Sequence, residues 1–143
     1  MRSLLLACSL FAATDALADD TLAGSWSVTV TETGIGTCQM SPGKVTAYVW
    51  IISTQPDGAV TVSVQGQTPF PVLGGQVVGD TLVLRAFAQM KGRTDATWIN
   101  LKLKGSTMTG LRRHLSVQPQ QFATRKVNAP CFLDLDVQAS KTG

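Results

Sequence analysis

Arg112-Arg113-His114 is the longest unbroken run of ionisable side chains in a 143-residue sequence that has a single histidine and is only 15% charged. In an extended strand Arg112 and His114 share one face, while Arg113 joins Leu111 and Leu115 on the other. At least one guanidinium must therefore lie on the side that carries apolar residues. A cation enclosed in a small β fold needs a carboxylate, a set of carbonyls or an anionic ligand. Arg85, flanked on its own face by Val83 and Phe87, raises the same requirement. Two answers stand open: Arg113 and Arg85 pair with acids such as Glu32 or Asp95 or reach the rim, or they receive the acidic head of a small amphipathic ligand. In the second case Phe87, Tyr48 and Trp50 are the aromatic surface offered to that ligand.

Catalysis has weaker support. A serine hydrolase would have to use His114, and no Gly-x-Ser-x-Gly elbow is present. Asp134 and Asp136 share one face of a strand, about 6 to 7 Å apart, a spacing compatible with glycoside chemistry. Alternating with Leu133, Leu135 and Val137, they read instead as the solvated face of an antiparallel strand. Neither a glycine-rich phosphate cradle nor a metal-ligand cluster occurs, so the expectation is a protein that is not an enzyme and has no cofactor and no metal. The net charge of +3, from 12 Lys and Arg against 9 Asp and Glu, is spread thinly and gives no basic tract for nucleic acid.

The elements that must hold these side chains begin after an address. Arg2, the apolar run Leu4 to Ala13 and Ala16-Leu17-Ala18 before Asp19-Asp20 predict a secretory signal peptide over residues 1–18, cleaved after Ala18. Its apolar run of about ten residues is too short to span a bilayer, which takes roughly 20. Leu5-Leu6-Ala7-Cys8 matches a bacterial lipoprotein box, but it leaves too few residues for a complete signal. A secreted or periplasmic domain, residues 19–143, would then hold two cysteines, Cys38 and Cys131, in a compartment that oxidises thiols. One intramolecular disulfide is the expectation, since zinc wants about four close ligands.

Period-2 alternation runs through this domain. Trp26, Val28 and Val30 alternate with Ser27, Thr29 and Thr31, and Val60, Val62 and Val64 with Thr61, Ser63 and Gln65. Leu82, Leu84, Ala86 and Ala88 share a face; so do Ile99, Leu101 and Leu103, and Leu133, Leu135 and Val137. Val45 to Ile52 is apolar on both faces, so this strand is either covered outside or lends Tyr48 and Trp50 to a second contact surface. Weaker runs lie at 70–78, 108–117 and 121–127. Asp57-Gly58, Gly74-Gly75, Gly79-Asp80, Gly92 and Gly105-Ser106 punctuate the runs, as antiparallel hairpins require. The fold expected is all-β: a single antiparallel up-and-down β-barrel of about eight strands, with a two-sheet β-sandwich as the alternative. Cys38 follows the first strand and Cys131 opens the last, which would put the disulfide at the seam a barrel must close.

Gly24-Ser25-Trp26 at the head of the first strand, followed by a meander of hairpins, resembles the Gly-x-Trp opening of lipocalins and of avidin-like barrels. The resemblance implies that Trp26 packs at the closed end of a calycin-type barrel beneath an Arg from near the last strands, a part that falls to Arg125. Thr94-Asp95-Ala96 supplies only two residues of the lipocalin Thr-Asp-Tyr loop and falls one strand early. No ligand transfers with the likeness. Two functions remain: a carrier or sensor of a small apolar or amphipathic ligand, or a protein-binding module such as an inhibitor of an exported enzyme, with the loop Gly34 to Lys44 and its Ile35, Met40 and Pro42 as contact. A membrane barrel would need two aromatic girdles, and the whole sequence has three Trp, one Tyr and five Phe.

Overall fold

Valine alternating with serine or threonine builds the first strand, because the β-branched side chains suit the pleat and every second one finds the interior. A computed structural model of the protein describes residues 19–66, 72–90, 92–122 and 125–143, with side chains described for 21–66, 72–89, 92–117 and 130–143. The signal peptide expected over residues 1–18, with Cys8, lies outside the described residues. A single helical turn, α1 (Asp19–Leu22), leads into β1 (Gly24–Gly36), β2 (Val45–Thr54), β3 (Ala59–Val64), β4 (Leu73–Val78), β5 (Thr81–Met90), β6 (Arg93–Lys104), β7 (Thr107–Phe122) and β8 (Arg125–Lys141). Each strand pairs antiparallel with the next, and β1 pairs with β8 to close an eight-stranded up-and-down barrel. The sandwich alternative is thereby excluded. The run at 121–127 is no strand of its own; it straddles the end of β7 and the start of β8.

Closure comes at the seam. Thr31 pairs with Asp136, a register shift intervenes between Glu32 and Gly36, and Gly36 then pairs with Leu133. Immediately beyond, the Thr37 and Cys38 amides both donate to the Phe132 carbonyl, and Cys38 is bonded to Cys131 across 93 residues of sequence. The bridge fastens the β1–β2 loop to β8 where the ladder ends, although Cys131 lies within β8 and does not open it. Such a bond belongs to an oxidising compartment.

The interior divides into two storeys. Toward the α1 end it is filled by Trp26, Val28, Trp50, Ile52, Val62, Leu82, Leu84, Leu101, Met108 and Val137, all buried. Each such side chain contributes on the order of 1.5 to 3 kcal/mol by leaving water. Leu22 stoppers this end: it is buried, and its carbonyl accepts a 2.8 Å hydrogen bond from Trp26 Nε1. Beside Trp26 at this end stands a lysine, Lys141, whose backbone pairs with Trp26 and whose Nζ donates to the Thr21 carbonyl at 2.6 Å. Arg125 cannot play that part, because β8 begins with it, opposite Phe122, at the far end of the strand. Toward the disulfide end more of the inward positions are small or polar: Ala86, Thr97 and His114 lie in one row, which ends on Leu133, and Ala88, Asp95, Ser116 and Cys131 in the next.

Candidate functional site

The phase of each strand decides which ionisable groups are inside. On β6 the buried positions are Asp95, Thr97, Ile99 and Leu101; on β7, Met108 and Ser116 are buried, which turns Arg112 and His114 inward and Arg113 outward. On β5, Leu82 and Leu84 are buried and Arg85 is exposed. The expected inward pair, Arg85 and Arg113, is therefore on the outer surface, and Phe87, 68% exposed, lies there too. The cause is that Leu111 and Leu115, the apolar neighbours that argued for Arg113, belong to an outer face that is itself partly apolar. Tyr48 and Trp50 point inward, so β2 presents Val45, Val49 and Ile51 to the outside instead.

Outside, Arg113 is satisfied locally. Its Nε and Nη2 each donate to Asp134 at 2.7 Å, and its guanidinium lies 5.0 Å from the centre of the Phe132 ring. Covered in this way, Asp134 is buried at 4% exposure rather than solvated, and Arg113 holds its carboxyl below the usual range. Asp136 is exposed. The pair Asp134 and Asp136 is thus one salt-bridged acid and one solvated acid, unsuited to general acid and base work.

Inside, the polar storey contains a connected set. Arg93 at the rim donates through Nε to both Asp95 oxygens, at 2.8 and 2.6 Å. His114 sits between Asp95 and Thr97, with Nε2 3.5 Å from Asp95 Oδ1 and Nδ1 3.2 Å from Thr97 Oγ1. Burial, and next the nearby Arg112, hold the imidazole below its ordinary pKa, which favours the neutral ring. Arg112 reaches Tyr48, and burial pulls its guanidinium below the usual value against the favourable influence of Tyr48 and, more weakly, Asp95. Its Nε is buried with no hydrogen-bond partner, as is Ser116 Oγ. With His114 neutral and Asp95 bonded to Arg93, Arg112 feels that carboxylate only at longer range, and its positive charge within the wall of the barrel has no acid of its own among the described residues.

No family model, curated protein or solved structure matches this chain. Its chemistry must be read from its own side chains. Of the residues expected at a ligand site, Tyr48 is placed beside Arg112 and Trp50 in the apolar storey, whereas Arg85, Phe87 and Arg113 lie outside. Arg112, Asp95, Thr97, Arg93 and Ser116 are the members missed. The signal for two of them was present, because extending the Ile99, Leu101, Leu103 phase backward along β6 places Thr97 and Asp95 inward.

A hollow of about 570 Å³ lies at the α1 end among Leu22, Trp26, Leu103, Asp80 and Lys141. Its charged groups are already engaged, Lys141 with the Thr21 carbonyl and Asp80 with Lys102 at 3.3 Å. Among the described residues no helix is long and apolar enough to cross a membrane.

Proposed function

We propose that this chain is an exported, calycin-type β-barrel that carries or senses a small amphipathic molecule, whose acidic head sits against Arg112 and whose apolar part lies in the polar-to-apolar transition of the interior. One observation carries the reading: a guanidinium enclosed in the barrel wall whose Nε has no partner. An unpaired buried donor costs about 1 to 3 kcal/mol, more when charged, and an anion removes that penalty on binding. Ser116 Oγ, also buried without a partner, is a second donor or acceptor at the same end. Ala86 and Ala88 on β5 are small where Leu82 and Leu84 below them are large, which favours room at the disulfide end of an eight-stranded barrel. Gly24-Ser25-Trp26 and closure of β1 on β8 agree with the calycin type.

The test uses a matched pair of fluorescent probes, the anionic 8-anilinonaphthalene-1-sulfonate and the neutral N-phenyl-1-naphthylamine, titrated into the folded protein. Arg112→Met should weaken the anion roughly 5- to 150-fold and leave the neutral probe within about twofold. Equal affinity of both proteins for the anion would overturn the assignment, as would loss of anion binding on Arg85→Ala. Tryptophan emission should respond to the anion, because Trp26 and Trp50 are buried in the interior below the site.

A further inference from the structure

Strand β7 turns Arg112, His114 and Ser116 inward in one column, each about 6 to 7 Å from the next along the backbone. His114 is the middle member, with an unpartnered buried polar atom on either side of it, Arg112 Nε and Ser116 Oγ. An anion that satisfies both must lie along the imidazole. Each ring nitrogen already faces an oxygen able to accept a hydrogen bond: Nε2 is 3.5 Å from Asp95 Oδ1, and Nδ1 is 3.2 Å from Thr97 Oγ1. A neutral imidazole has one N–H to give to these two acceptors; an imidazolium has one for each. Burial opposes the second proton, and next the charge of Arg112. That charge is close because Arg112 reaches across the interior to Tyr48 on β2, which β8 and β1 separate from β7. Among the described side chains of this storey, the other ionisable groups on inward positions are already held. Arg93, at the rim of β6, is bonded to Asp95, and Glu32, on β1, accepts from the Ser41 amide. Inward from β5 and β8 come Ala86, Leu133 and the disulfide-bonded Cys131, and β3 and β4 carry no ionisable residue.

We propose that an anion seated on Arg112 draws a proton from solvent onto His114, so that the barrel takes up ligand and proton together and releases both as the pH rises. The inference rests on the interior anion site proposed above and assigns its regulation. An anion cancels the guanidinium charge that holds the proton off, and Asp95 and Thr97 stand ready to receive the two N–H groups of the charged ring. His114 is the one histidine of the chain, and imidazole is the side chain whose ordinary titration falls between about pH 5 and 8. Linkage fixes the sign. The ring binds its proton more tightly with the anion present, so by reciprocity the protonated barrel binds the anion more tightly. Affinity therefore rises as pH falls from the midpoint of the liganded ring to that of the free ring, and is level on either side.

The probe is 8-anilinonaphthalene-1-sulfonate, whose sulfonate stays ionised throughout, titrated into the untagged, disulfide-bonded protein at about pH 8 and about pH 5.5, with far-ultraviolet circular dichroism confirming the barrel at both. The dissociation constant should be at least ~5-fold lower at the acid pH, the lower end of typical coupling between sites. His114→Gln should bring the two values within about twofold of each other; titration of a carboxyl such as Asp95 would leave the difference in place. A second readout needs no variant. The single histidine gives one set of ring signals in nuclear magnetic resonance, and their pH midpoint should rise when the sulfonate saturates the protein. If Arg112→Met leaves the affinity for the sulfonate unchanged, the interior site fails and the coupling with it. If Arg112→Met weakens the sulfonate but the parent binds it equally at both pH values, the site stands and the coupling is overturned. A ring midpoint that the sulfonate does not move, or a difference that His114→Gln preserves, overturns the coupling in the same way.

Discussion

Replacing Arg112 should make the empty barrel more stable while removing the anion site. The guanidinium sits in the interior with Nε unpaired, and its described polar contact is Tyr48, with Asp95 acting at longer range. Exchanging a buried, incompletely paired ion for an apolar side chain of similar length is commonly neutral or stabilising, by about 1 to 4 kcal/mol. Met fits because it is unbranched and adapts to irregular space. Against that gain stands Tyr48, which loses a polar partner at a cost of about 1 kcal/mol. Arg112→Met should therefore raise the unfolding free energy by up to about 3 kcal/mol, centred near ~1.5 kcal/mol, and Tyr48→Phe with Arg112→Met by about 1 kcal/mol more. Urea unfolding at neutral pH gives these differences, and calorimetry should show Tm rising by roughly 4 °C per kcal/mol. With an anionic ligand at about 100 times its dissociation constant for the arginine protein, that protein gains ~2.7 kcal/mol of binding linkage, about 0.9 to 2.4 kcal/mol more than the variant, which offsets or reverses the order. A fall of more than about 1 kcal/mol in both ligand-free variants would refute the reasoning, because it would mean that Arg112 is a satisfied structural group.

Two further outcomes can be checked on the same material. Cys38→Ser with Cys131→Ser opens a loop closed across 93 residues and should lower stability by about 4 to 5 kcal/mol on the chain-entropy account, read as a shift in the urea midpoint that added reductant reproduces in the parent. His114 has a folded-state pKa below its ordinary 6.5, so the unfolded chain takes up the proton first, and stability should fall as pH drops from about 6.5 through the folded value. His114→Gln should flatten that slope in Tm measured from about pH 7.5 to 5; an unchanged slope would assign it to other groups.

Much of the barrel was legible because its strands alternate cleanly and its turns carry the glycines they need. Asp57-Gly58 is an instance: Gly58 takes φ 84°, which an L side chain rarely adopts, and the Gly58 amide donates to Gln55. The disulfide was legible for a compositional reason, two cysteines in one exported domain, and its place at the seam followed from the order of the strands. The site was legible only in part. Alternation divides a strand into two faces without saying which is inside, and on β7 both faces offered apolar residues, Met108 on one and Leu111 and Leu115 on the other. Long-range pairing resolves the choice: Gly110 lies opposite Leu101 and Val137, both buried, so its phase is the interior one and Arg112 goes with it. A side chain at Gly110 would run into the Asn100 carbonyl of the neighbouring strand, which explains a glycine in the middle of that strand.

The outer apolar face misled the assignment of Arg113, and it also shows what separates the three arginines physically. Arg113 has Asp134 directly across the strand pair and Phe132 beneath its guanidinium, so its charge is spent within the fold. Arg85 faces Gly74 on one side and Trp98 on the other, with no carboxylate at either neighbour, and in solvent an unpaired cation costs nothing. Arg112 has the same lack of a facing acid, between Ile99 and Leu135, but in the interior, where the lack is expensive. A charge left unpaired inside a barrel is retained against stability, and a group retained against stability is where a ligand is to be sought.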